Sequence, residues 1–270
     1  MFQVKGLLFD VDGSIMPDGG PFSRLIMDLF WELGRFFPLG PVSGRPLEYL
    51  KGLGVGSGRH FQFAAAESGA VWATLKSSSP VIWDTRLTCP EDIGDLESLE
   101  SLLQYNRRTG SFCLDGNRVE CVDQPKMGEI SMFSRGGTDL HALASALRAT
   151  ISQHSLQLKV VCFPDGSLTI APQRSHKGLS VILACEHLAC QPHELLTVVD
   201  GINDLELAQD TTCIAVGNAS EDLKKVVRSR GTRGYVASST EAMGFAEGLV
   251  HFARAGILPE EVSTLVQRTL

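Results

Sequence analysis

The ten residues LLFDVDGSIM, at positions 7–16, place two aspartates two positions apart at the end of an apolar run. The run at positions 4–9 is short and ends in a turn, which predicts a strand buried on both faces. Buried strands end in turns, and solvation alone explains an acidic turn. Together with three stretches further along the chain, however, Asp10 and Asp12 predict a chemical role.

Strands and helices alternate on both sides of a central region. Positions 20–36 carry apolar residues at helical spacing, with Ser23 placed to cap the helix. Short apolar runs that end in turns then alternate with amphipathic segments up to position 79, and again after Pro172. This alternation indicates a parallel sheet with helices on both faces.

The central region, positions 80–171, has a different pattern. It combines strand-like runs with two amphipathic segments, and its Asp115-Gly116 and Asp165-Gly166 pairs each lie between two short runs. Such pairs are typical of β-hairpins, and strands joined by tight turns beside helices indicate an α+β unit with an antiparallel sheet. The sequence therefore predicts a second domain, residues 80–171, inserted into a discontinuous first domain, residues 1–79 and 172–270.

Composition and charge limit the kinds of partner. A formal net charge of −7 does not provide the basic surface that nucleic-acid binding needs, although a few local donors can still bind a small anion. No apolar run reaches the roughly 18 residues that span a bilayer, and the N-terminus lacks the pattern of a signal peptide. The seven cysteines include no CxxC pair and indicate free thiols. We therefore expect a cytoplasmic protein that binds neither nucleic acid nor membrane; the oligomeric state stays open.

Four polar stretches follow predicted strands or open predicted helices. Open parallel sheets place their functional loops at the carboxyl ends of the strands. Each stretch alone has a structural explanation, as a solvated turn, a helix entry, a surface lysine or an N-cap. The four are Asp10-Val-Asp-Gly-Ser, Ser43-Gly-Arg, Lys177-Gly and Asp200-Gly-Ile-Asn-Asp.

Taken together, the four stretches contain the groups that phosphoryl transfer through an aspartyl-phosphate requires. A carboxylate attacks phosphorus. Because carboxylate and phosphate repel each other, Mg²⁺ is needed, bound by one or two carboxylates and by substrate oxygens. A hydroxyl, backbone N–H groups and a lysine hold the other phosphate oxygens, and a second carboxyl group protonates the leaving oxygen and then activates water.

The order of these motifs resembles that of the haloacid-dehalogenase (HAD) superfamily of phosphatases: an apolar run with DxDGS, then SGR, then KG at a helix start, then DGxND after a strand. The inserted unit lies between SGR and KG, where the Cof-type branch, which includes sucrose-phosphate phosphatases, carries its cap. The segments AAESGAVW and IAVGNASEDLKKV resemble further stretches of that branch. The resemblance implies an α/β fold with a Rossmann-like parallel-sheet core, residues 1–79 and 172–270, and an inserted α+β cap domain, residues 80–171.

The resemblance also implies roles for the acidic residues. Asp10 is expected to be the nucleophile and a Mg²⁺ ligand. Asp12 is expected to be the general acid and base, with its backbone carbonyl on the metal. Asp200 is expected to be the second carboxylate ligand, with Asp204 on the metal or just behind it. Mg²⁺ is the expected cofactor.

A second group of residues is expected to hold the phosphoryl group. The resemblance assigns this role to Ser43, Gly44, Arg45, Lys177 and Asn203. The glycine among them is expected to let the backbone close on the phosphate, since a side chain there would crowd it.

The activity that the resemblance implies is Mg²⁺-dependent hydrolysis of small phosphorylated metabolites through an aspartyl-phosphate, with sugar phosphates favoured. A phosphomutase of the same superfamily shares the motifs and is one alternative. A non-catalytic binding or regulatory protein is another alternative. Val199 stands where the family usually has glycine before the last motif, and the chain would be non-catalytic if this valine disabled the metal site.

Three basic residues in or beside the inserted region are further candidates for binding a substrate anion. They are Lys126, Arg135 and Arg174, and none of them belongs to the four motifs. Solvated surface charge is the simpler interpretation of each.

Overall fold

The structure, a computed structural model, describes residues 4–17, 20–56, 61–106, 111–114, 117–124, 126–134, 139–163 and 166–270. By its internal contacts the chain divides into two units. Unit 1 consists of Met1–Arg86 and His176–Leu270, and unit 2 is the continuous segment Leu87–Ser175. Within the described ranges, no helix has the length and apolar character needed to cross a membrane.

Thirteen strands run through the described part of the chain and form two sheets. They are β1 (Gly6–Asp10), β2 (Leu39–Val42), β3 (Phe63–Ala66), β4 (Val71–Ser78), β5 (Val81–Leu87), β6 (Ser111–Leu114), β7 (Asn117–Gln124), β8 (Ile130–Ser134), β9 (Leu158–Cys162), β10 (Ser167–Pro172), β11 (Leu195–Val199), β12 (Thr212–Ala215) and β13 (Gly234–Val236). The larger sheet has the order β13-β12-β11-β1-β2-β3-β4-β5, and the smaller one has the order β6-β7-β8-β10-β9.

Nine α-helices accompany the strands in the same described residues. They are α1 (Arg24–Leu33), α2 (Leu47–Gly56), α3 (Ile93–Leu102), α4 (Leu140–Gln153), α5 (Leu179–Leu188), α6 (Leu205–Ala208), α7 (Glu221–Ser229), α8 (Glu241–Arg254) and α9 (Glu260–Thr269). Of these, α3 and α4 belong to unit 2.

The central strand of unit 1 is β1. It pairs in parallel with β2 on one side and with β11 on the other, and β12 and β13 continue the sheet in parallel. All five residues of β1 are buried, as the apolar run predicts. The helix α1 also begins where predicted, because the Ser23 side chain accepts a hydrogen bond from the backbone N–H of Ile26 (3.3 Å).

The strand expected at the start of the inserted domain lies instead in the larger sheet. It is β5, the neighbour of β4, and positions 80–86 are therefore part of unit 1. Because only Ser79 and Pro80 separate β4 from β5, the two strands pair locally as a hairpin. At the other boundary, positions 172–175 belong to unit 2. The sequence pattern identified the strand but not the sheet that it joins.

The sheet of unit 2 is antiparallel throughout its described pairs. The hairpins β6–β7 and β9–β10 form where the Asp-Gly pairs predict them, although positions 115–116 and 164–165 lie outside the described residues. An apolar core joins the sheet to α3 and α4, with Leu99, Phe112, Leu147 and Leu168 among its fully or almost fully buried members.

Unit 2 also buries a polar network. The Lys126 ammonium donates hydrogen bonds to Oε1 of Glu129 and to Oγ of Ser131 (2.7 Å), and Ser131 shares a hydrogen bond with Oγ1 of Thr169 (2.6 Å). The Lys126 side chain is 4% exposed and that of Glu129 is fully buried. The interpretation of Lys126 as solvated surface charge is therefore wrong. Its burial is tolerated because the ammonium is paired and hydrogen-bonded.

Arg174 forms ion pairs at the surface of unit 2. Its Nε and Nη2 donate to the two carboxylate oxygens of Asp92, at 3.1 and 2.9 Å, and Nη2 also contacts Glu91. More than half of the Arg174 side chain is exposed, in agreement with the simpler interpretation as surface charge. Arg135 lies outside the described residues.

Candidate active site

Three of the predicted motifs follow neighbouring strands of unit 1. β1 ends at Asp10, β2 ends one residue before Ser43, and β11 ends one residue before Asp200. In the register of β1 with β2, Asp10 lies opposite Val42. Because the three strands are parallel neighbours, their carboxyl ends meet at one edge of the sheet. The structure thus brings these motifs together.

Lys177 connects two of the aspartates. Its Nζ lies 2.6 Å from Oδ1 of Asp10 and 2.6 Å from Oδ1 of Asp204, and all three side chains are almost fully buried. Burial acts to lower the pKa of Lys177, but the charges of Asp10 and Asp204 raise it overall. The ammonium is therefore kept charged inside the protein. Lys177 is 167 residues from Asp10 along the chain, so the contact exists only in the folded unit.

Three carboxylates meet beside this ammonium. Asp10, Asp200 and Asp204 each offer an oxygen, and these atoms all lie within 4.8 Å of one another. Carboxylate oxygens are ligands that Mg²⁺ prefers, with water and substrate oxygens completing its shell. The three predicted carboxylate ligands are thus close enough to bind one ion.

Charge and burial in this cluster fit a divalent cation. Burial raises the pKa of Asp10 well above its ordinary value, and the charge of Asp204 raises it further. Burial and Asp204 likewise raise the pKa of Asp200. Both shifts express the cost of holding several negative charges together away from water. The single ammonium of Lys177 balances only one of the three carboxylates, and a bound Mg²⁺ would offset the rest.

Asp12 and Arg45 form a bidentate ion pair. The guanidinium donates from Nε to Oδ2 (3.0 Å) and from Nη2 to Oδ1 (2.8 Å) of the carboxylate. The guanidinium also lies over the ring of Tyr49, 5.0 Å from its centroid. Such a planar, two-point contact fixes the orientation of a carboxylate. The structure therefore places Arg45 on Asp12, and its expected contact with a phosphate stays a prediction.

Ser43 and Gly44 form the turn after β2. The Ser43 side chain is buried, and its Oγ accepts a hydrogen bond from the backbone N–H of Arg45 (3.1 Å). The carbonyl of Ser43 accepts from the backbone N–H of Ser68 (3.0 Å). A Cβ added to Gly44 would meet Ser68 Oγ at 3.4 Å, an ordinary contact. Packing therefore does not require glycine here, and the predicted approach of a phosphate remains as its reason.

Gly13 allows the first motif to approach Asp200. Its φ is +78°, and a Cβ at this position would lie 2.2 Å from Oδ2 of Asp200, so only glycine fits. The neighbouring Ser14 donates a hydrogen bond from Oγ to Oδ1 of Asp200 (2.8 Å). Ser14 thus orients a predicted metal ligand. The sequence predicted no such role for Ser14, although its place in the first motif pointed to the site.

The last motif forms a tight turn that Asp204 holds. Its Oδ2 accepts hydrogen bonds from the backbone N–H groups of Asp200 (3.3 Å) and Gly201 (3.1 Å), while its Oδ1 contacts Lys177. Asn203 is exposed, and its Oδ1 lies over Gly201, 2.1 Å from where a Cβ would be. Asn203 is therefore folded onto the turn, and its contact with a phosphate stays a prediction.

Val199 packs into the core of unit 1. It is fully buried in an apolar cluster that includes Leu8, Leu207 and Ala215. The next residue, Asp200, still offers an oxygen within 4.8 Å of the other two carboxylates. The valine in the position of the usual glycine is therefore compatible with a three-aspartate cluster.

Asn218 links the first motif to the segment after β12. Its Nδ2 donates to the carbonyl of Gly13 (2.7 Å), and its Oδ1 accepts from the backbone N–H of Glu241 at the start of α8 (3.1 Å). It belongs to the segment IAVGNASEDLKKV, whose family resemblance was a signal, but no role was predicted for it. Asn218 is a positioning residue for the turn at Gly13.

Glu247 of α8 orders the residues that precede this helix. Its carboxylate accepts hydrogen bonds from the hydroxyl of Tyr235 (2.6 Å) and from the backbone N–H groups of Ser238 and Ser239 (both 3.0 Å). The carbonyl of Ser239 accepts in turn from the backbone N–H of Gly217 (2.7 Å), the residue before the asparagine that holds the first motif. Burial acts to raise the pKa of Glu247, but these hydrogen bonds lower it to about 2.

We expect the contribution of Glu247 to stability to disappear in acid. Because its pKa falls from 4.5 to about 2 on folding, the stabilisation is present above pH 4.5 and is lost as the pH falls toward 2. Glu247→Gln should therefore lower the free energy of unfolding by about 1–3 kcal/mol at about pH 7 and by less at about pH 3. Urea denaturation at both pH values measures the two losses. Glu48→Gln, at a side chain that is 82% exposed, is the control, and equal losses at both pH values would contradict the expectation.

Comparison with known proteins shows one matching family and a shared fold. Residues 130–253 match the family described as sucrose-6F-phosphate phosphohydrolase. No curated protein sequence matches the chain.

Solved structures similar to this chain cover almost all of it. The sucrose-phosphatase of Synechocystis sp. PCC6803, in complex with sucrose and phosphate, is 18% identical with a TM-score of 0.61, over 93% of this chain and 98% of that one. A haloacid dehalogenase-like hydrolase of Bacteroides thetaiotaomicron is 16% identical with a TM-score of 0.65, over 99% and 100%. The HAD phosphatase BT1666 of the same organism is 15% identical with a TM-score of 0.59, over 94% and 96%. At these identities the likeness shows the fold.

The fold and the matched segment define the class of this protein. An α/β chain with a parallel-dominated sheet, similar over nearly its whole length to HAD-like hydrolases, confirms the predicted Rossmann-like fold class. The chain is similar to HAD-superfamily hydrolases in fold and, over residues 130–253, in sequence to one of their families. The predicted resemblance to the sucrose-phosphatase-like branch and the predicted phosphatase class agree with this match and with the phosphatases among the similar structures.

Proposed function

We propose that the chain is a Mg²⁺-dependent phosphatase of small phosphorylated metabolites and that it acts through an aspartyl-phosphate on Asp10. The observation that carries the proposal is the buried contact of the Lys177 ammonium with Asp10 and Asp204, with an oxygen of Asp200 within 4.8 Å of both carboxylates. This arrangement combines a carboxylate nucleophile, a fixed positive charge and a set of metal ligands, which phosphoryl transfer needs at one place.

Sugar phosphates are the substrate class that we favour. The matched family is described as a sucrose-6F-phosphate phosphohydrolase, and one structural neighbour holds sucrose and phosphate. Both facts concern those relatives, and they support the choice without deciding it for this chain. The net charge of −7 is compatible with an anionic substrate, because the Lys177 ammonium and a bound Mg²⁺ would supply positive charge at the site.

In the first step, a carboxylate oxygen of Asp10 attacks phosphorus, and the bond between phosphorus and the leaving oxygen breaks. Asp12, as general acid, gives its proton to that oxygen. Ser43 and Lys177 hold the other oxygens of the phosphoryl group, which carry the developing negative charge.

In the second step, Asp12 acts as general base and takes a proton from water. The water oxygen attacks the phosphorus of the aspartyl-phosphate, the bond from phosphorus to Asp10 breaks, and inorganic phosphate leaves with the Asp10 carboxylate restored. The bidentate contact with Arg45 orients the Asp12 carboxylate for this step.

The proposed metal ligands are the carboxylates of Asp10, Asp200 and Asp204, together with the backbone carbonyl of Asp12. When bound, Mg²⁺ supplies positive charge that reduces the repulsion between the nucleophile and the phosphoryl group. Ser14 and the turn at Gly13 hold Asp200 in place for this role.

The domain roles form part of the same proposal. Unit 1, Met1–Arg86 and His176–Leu270, forms the catalytic core, and unit 2, Leu87–Ser175, acts as a cap. A cap excludes water while the aspartyl-phosphate forms, which favours transfer to the enzyme before hydrolysis.

Removal of divalent metal should abolish hydrolysis. Without a cation, several carboxylates face the phosphoryl group, and the barrier rises by several kcal/mol, so we expect EDTA to slow hydrolysis by at least about 10²-fold and Mg²⁺ to restore it. Asp200→Ala should raise the Mg²⁺ concentration needed for half-maximal activity. The same Mg²⁺ titration followed by thermal denaturation gives a readout that does not depend on turnover.

The matched control for this prediction is Asp210→Ala, which removes a carboxylate that is 73% exposed and should leave the metal requirement unchanged. Full activity in EDTA would refute the metal assignment. An unchanged Mg²⁺ requirement in Asp200→Ala would remove Asp200 from the ligand set.

A panel of phosphorylated metabolites tests the reaction and the substrate class together. Release of inorganic phosphate, fastest from sugar phosphates, is the expected result. Isomerisation of a sugar phosphate without release of phosphate would identify a phosphomutase instead. Absence of any turnover, with ligand binding retained, would support the non-catalytic alternative.

A further inference from the structure

The larger sheet ends in a long strand. β5 is the last strand of this sheet in the described part of the chain, and it has seven residues. At the opposite edge, β13 has only three. An edge strand presents unpaired backbone N–H and C=O groups to any chain that can pair with it, and proteins commonly blunt such edges by keeping them short. β13 follows this rule and β5 does not.

β5 also carries exposed apolar side chains. Val81 is 47% exposed and Ile82 is 49% exposed. The strand has the sequence VIWDTRL, which contains no proline or lysine, and its two charged residues, Asp84 and Arg86, have opposite signs. A long, partly apolar edge whose two charges have opposite signs is suited to pairing with a strand of complementary charge.

The charges of β5 are complementary to those of the same strand in a second molecule. We propose that β5 pairs antiparallel with β5 of a second copy of this chain, about a two-fold axis through Thr85, so that the two larger sheets join into one. In this register, Asp84 lies directly opposite Arg86 of the partner subunit, and Arg86 lies opposite Asp84 of the partner subunit. Two opposite-charge pairs thus flank the axis, and directly opposed side chains of opposite charge stabilise an antiparallel pair.

The neighbouring register is disfavoured by the same charges. An axis through Asp84 would place Asp84 opposite Asp84 of the partner subunit, and like charges in directly opposed positions destabilise the pair. Directly opposed residues of an antiparallel pair point to the same face of the sheet, so a two-fold axis can move only from one residue to the next. The axis through Thr85 is the one that places Asp84 opposite Arg86, and the charge pattern therefore favours it.

The ion pairs that Asp84 and Arg86 form within the chain are too weak to prevent their pairing with a second copy. Asp84 lies 2.9 Å from Lys76, and Arg86 lies 3.7 Å from Glu186, and all four side chains are more than half exposed. Such surface ion pairs contribute little, so Asp84 and Arg86 keep most of their capacity to pair across the axis. A two-fold pairing of identical edges also closes on itself and yields a dimer rather than a fibre.

Light scattering coupled to size exclusion, with charge exchange at Asp84 and Arg86, tests the proposal. The wild-type chain should have twice the monomer mass of 29.2 kDa. Asp84→Arg and Arg86→Asp each place like charges opposite one another, and each should raise the dissociation constant of the dimer by at least about tenfold. The double variant Asp84→Arg/Arg86→Asp restores opposite charges across the axis and should recover the dimer.

Two further measurements make the test independent of misfolding. Circular dichroism should show that all variants are folded, and Thr85→Lys, which places two like charges on the axis without changing the Asp84–Arg86 pattern, should also yield monomers. The Lys51→Met substitution, on α2 rather than on β5, should leave the dimer unchanged. A monomeric wild-type chain, larger aggregates, dimeric single-charge variants or a double variant that stays monomeric would each overturn the proposal.

Discussion

Asp10→Asn is expected to abolish turnover, whereas Asp12→Asn is expected to keep the nucleophile and lose proton transfer. A carboxamide has no negative charge with which to attack phosphorus, and Asp10 is the buried carboxylate that contacts Lys177. Loss of general acid–base catalysis costs about 10²–10⁴-fold in rate. With a leaving group that needs no proton, Asp12→Asn should still form a phosphoenzyme that hydrolyses slowly.

Acid-quenched labelling with a phosphate ester that has a good leaving group, followed by peptide mapping, separates these outcomes. The label is expected on Asp10 in the wild-type chain and in Asp12→Asn, and on no residue in Asp10→Asn. Asp210→Asn, at an exposed position outside the site, is the matched control. A label on Asp12, or near wild-type turnover by Asp10→Asn, would refute the proposed mechanism.

Lys126→Met is expected to lower the free energy of unfolding by about 3–5 kcal/mol, because it leaves the buried carboxylate of Glu129 without its cation. Burial raises the pKa of Glu129, and the charge of Lys126 acts in the opposite direction. Without Lys126, the protonated form of Glu129 is favoured further in the folded chain. Protonation of Glu129 stabilises the folded chain below pH 4.5, and this stabilisation is lost as the pH rises through the raised pKa of Glu129. The loss of stability in Lys126→Met should therefore be smaller in acid than at neutral pH.

The double variant Lys126→Met/Glu129→Met should recover most of this loss, since apolar residues often replace a buried ion pair with little net change. Urea denaturation of the wild-type chain and the three variants measures the comparison. Lys225→Met, whose ion pair with Asp222 is exposed, is the control and should change stability little. A double variant as unstable as the single one would show that the hydrogen bonds of the network, rather than the unpaired charge, determine the loss.

The position of the candidate site motifs was predictable because strand topology determines it. Apolar runs that end in polar turns identify parallel strands, and the carboxyl ends of neighbouring parallel strands meet. Asp10, Ser43 and Asp200 therefore come together from sequence alone. The stretches that contain Lys177 and Asp204 were placed at the site by the same reasoning, but the individual roles of these two residues came only from the family resemblance. The contact of Lys177 with Asp10, 167 residues away along the chain, leaves no pattern of apolar spacing.

The side-chain pairs within the site were not predictable in the same way. The contacts of Arg45 with Asp12 and of Ser14 with Asp200 depend on rotamers and on turns of a few residues, which leave no periodic trace in the sequence. The burial of Lys126 was not predictable for a related reason. A charged residue in a short segment gives the same sequence pattern whether its side chain is solvated or is paired inside the protein. The sheet to which β5 belongs was also not predictable, because the pattern of a strand contains no information on which of two sheets it joins.

The discontinuity of unit 1 has a consequence for the order of folding during synthesis. β1 pairs with β11, where Gly6 lies opposite Leu195, and the whole of unit 2 is translated between these two strands. Contacts between such distant residues also form slowly, because closing a long loop costs chain entropy before the contact is made. The continuous unit 2 can therefore complete its sheet while β1 still lacks one of its two neighbours. A chain still on the ribosome that ends before β11 carries Asp10 but neither Asp200 nor Asp204, so the three-carboxylate cluster can assemble only after β11 has been translated.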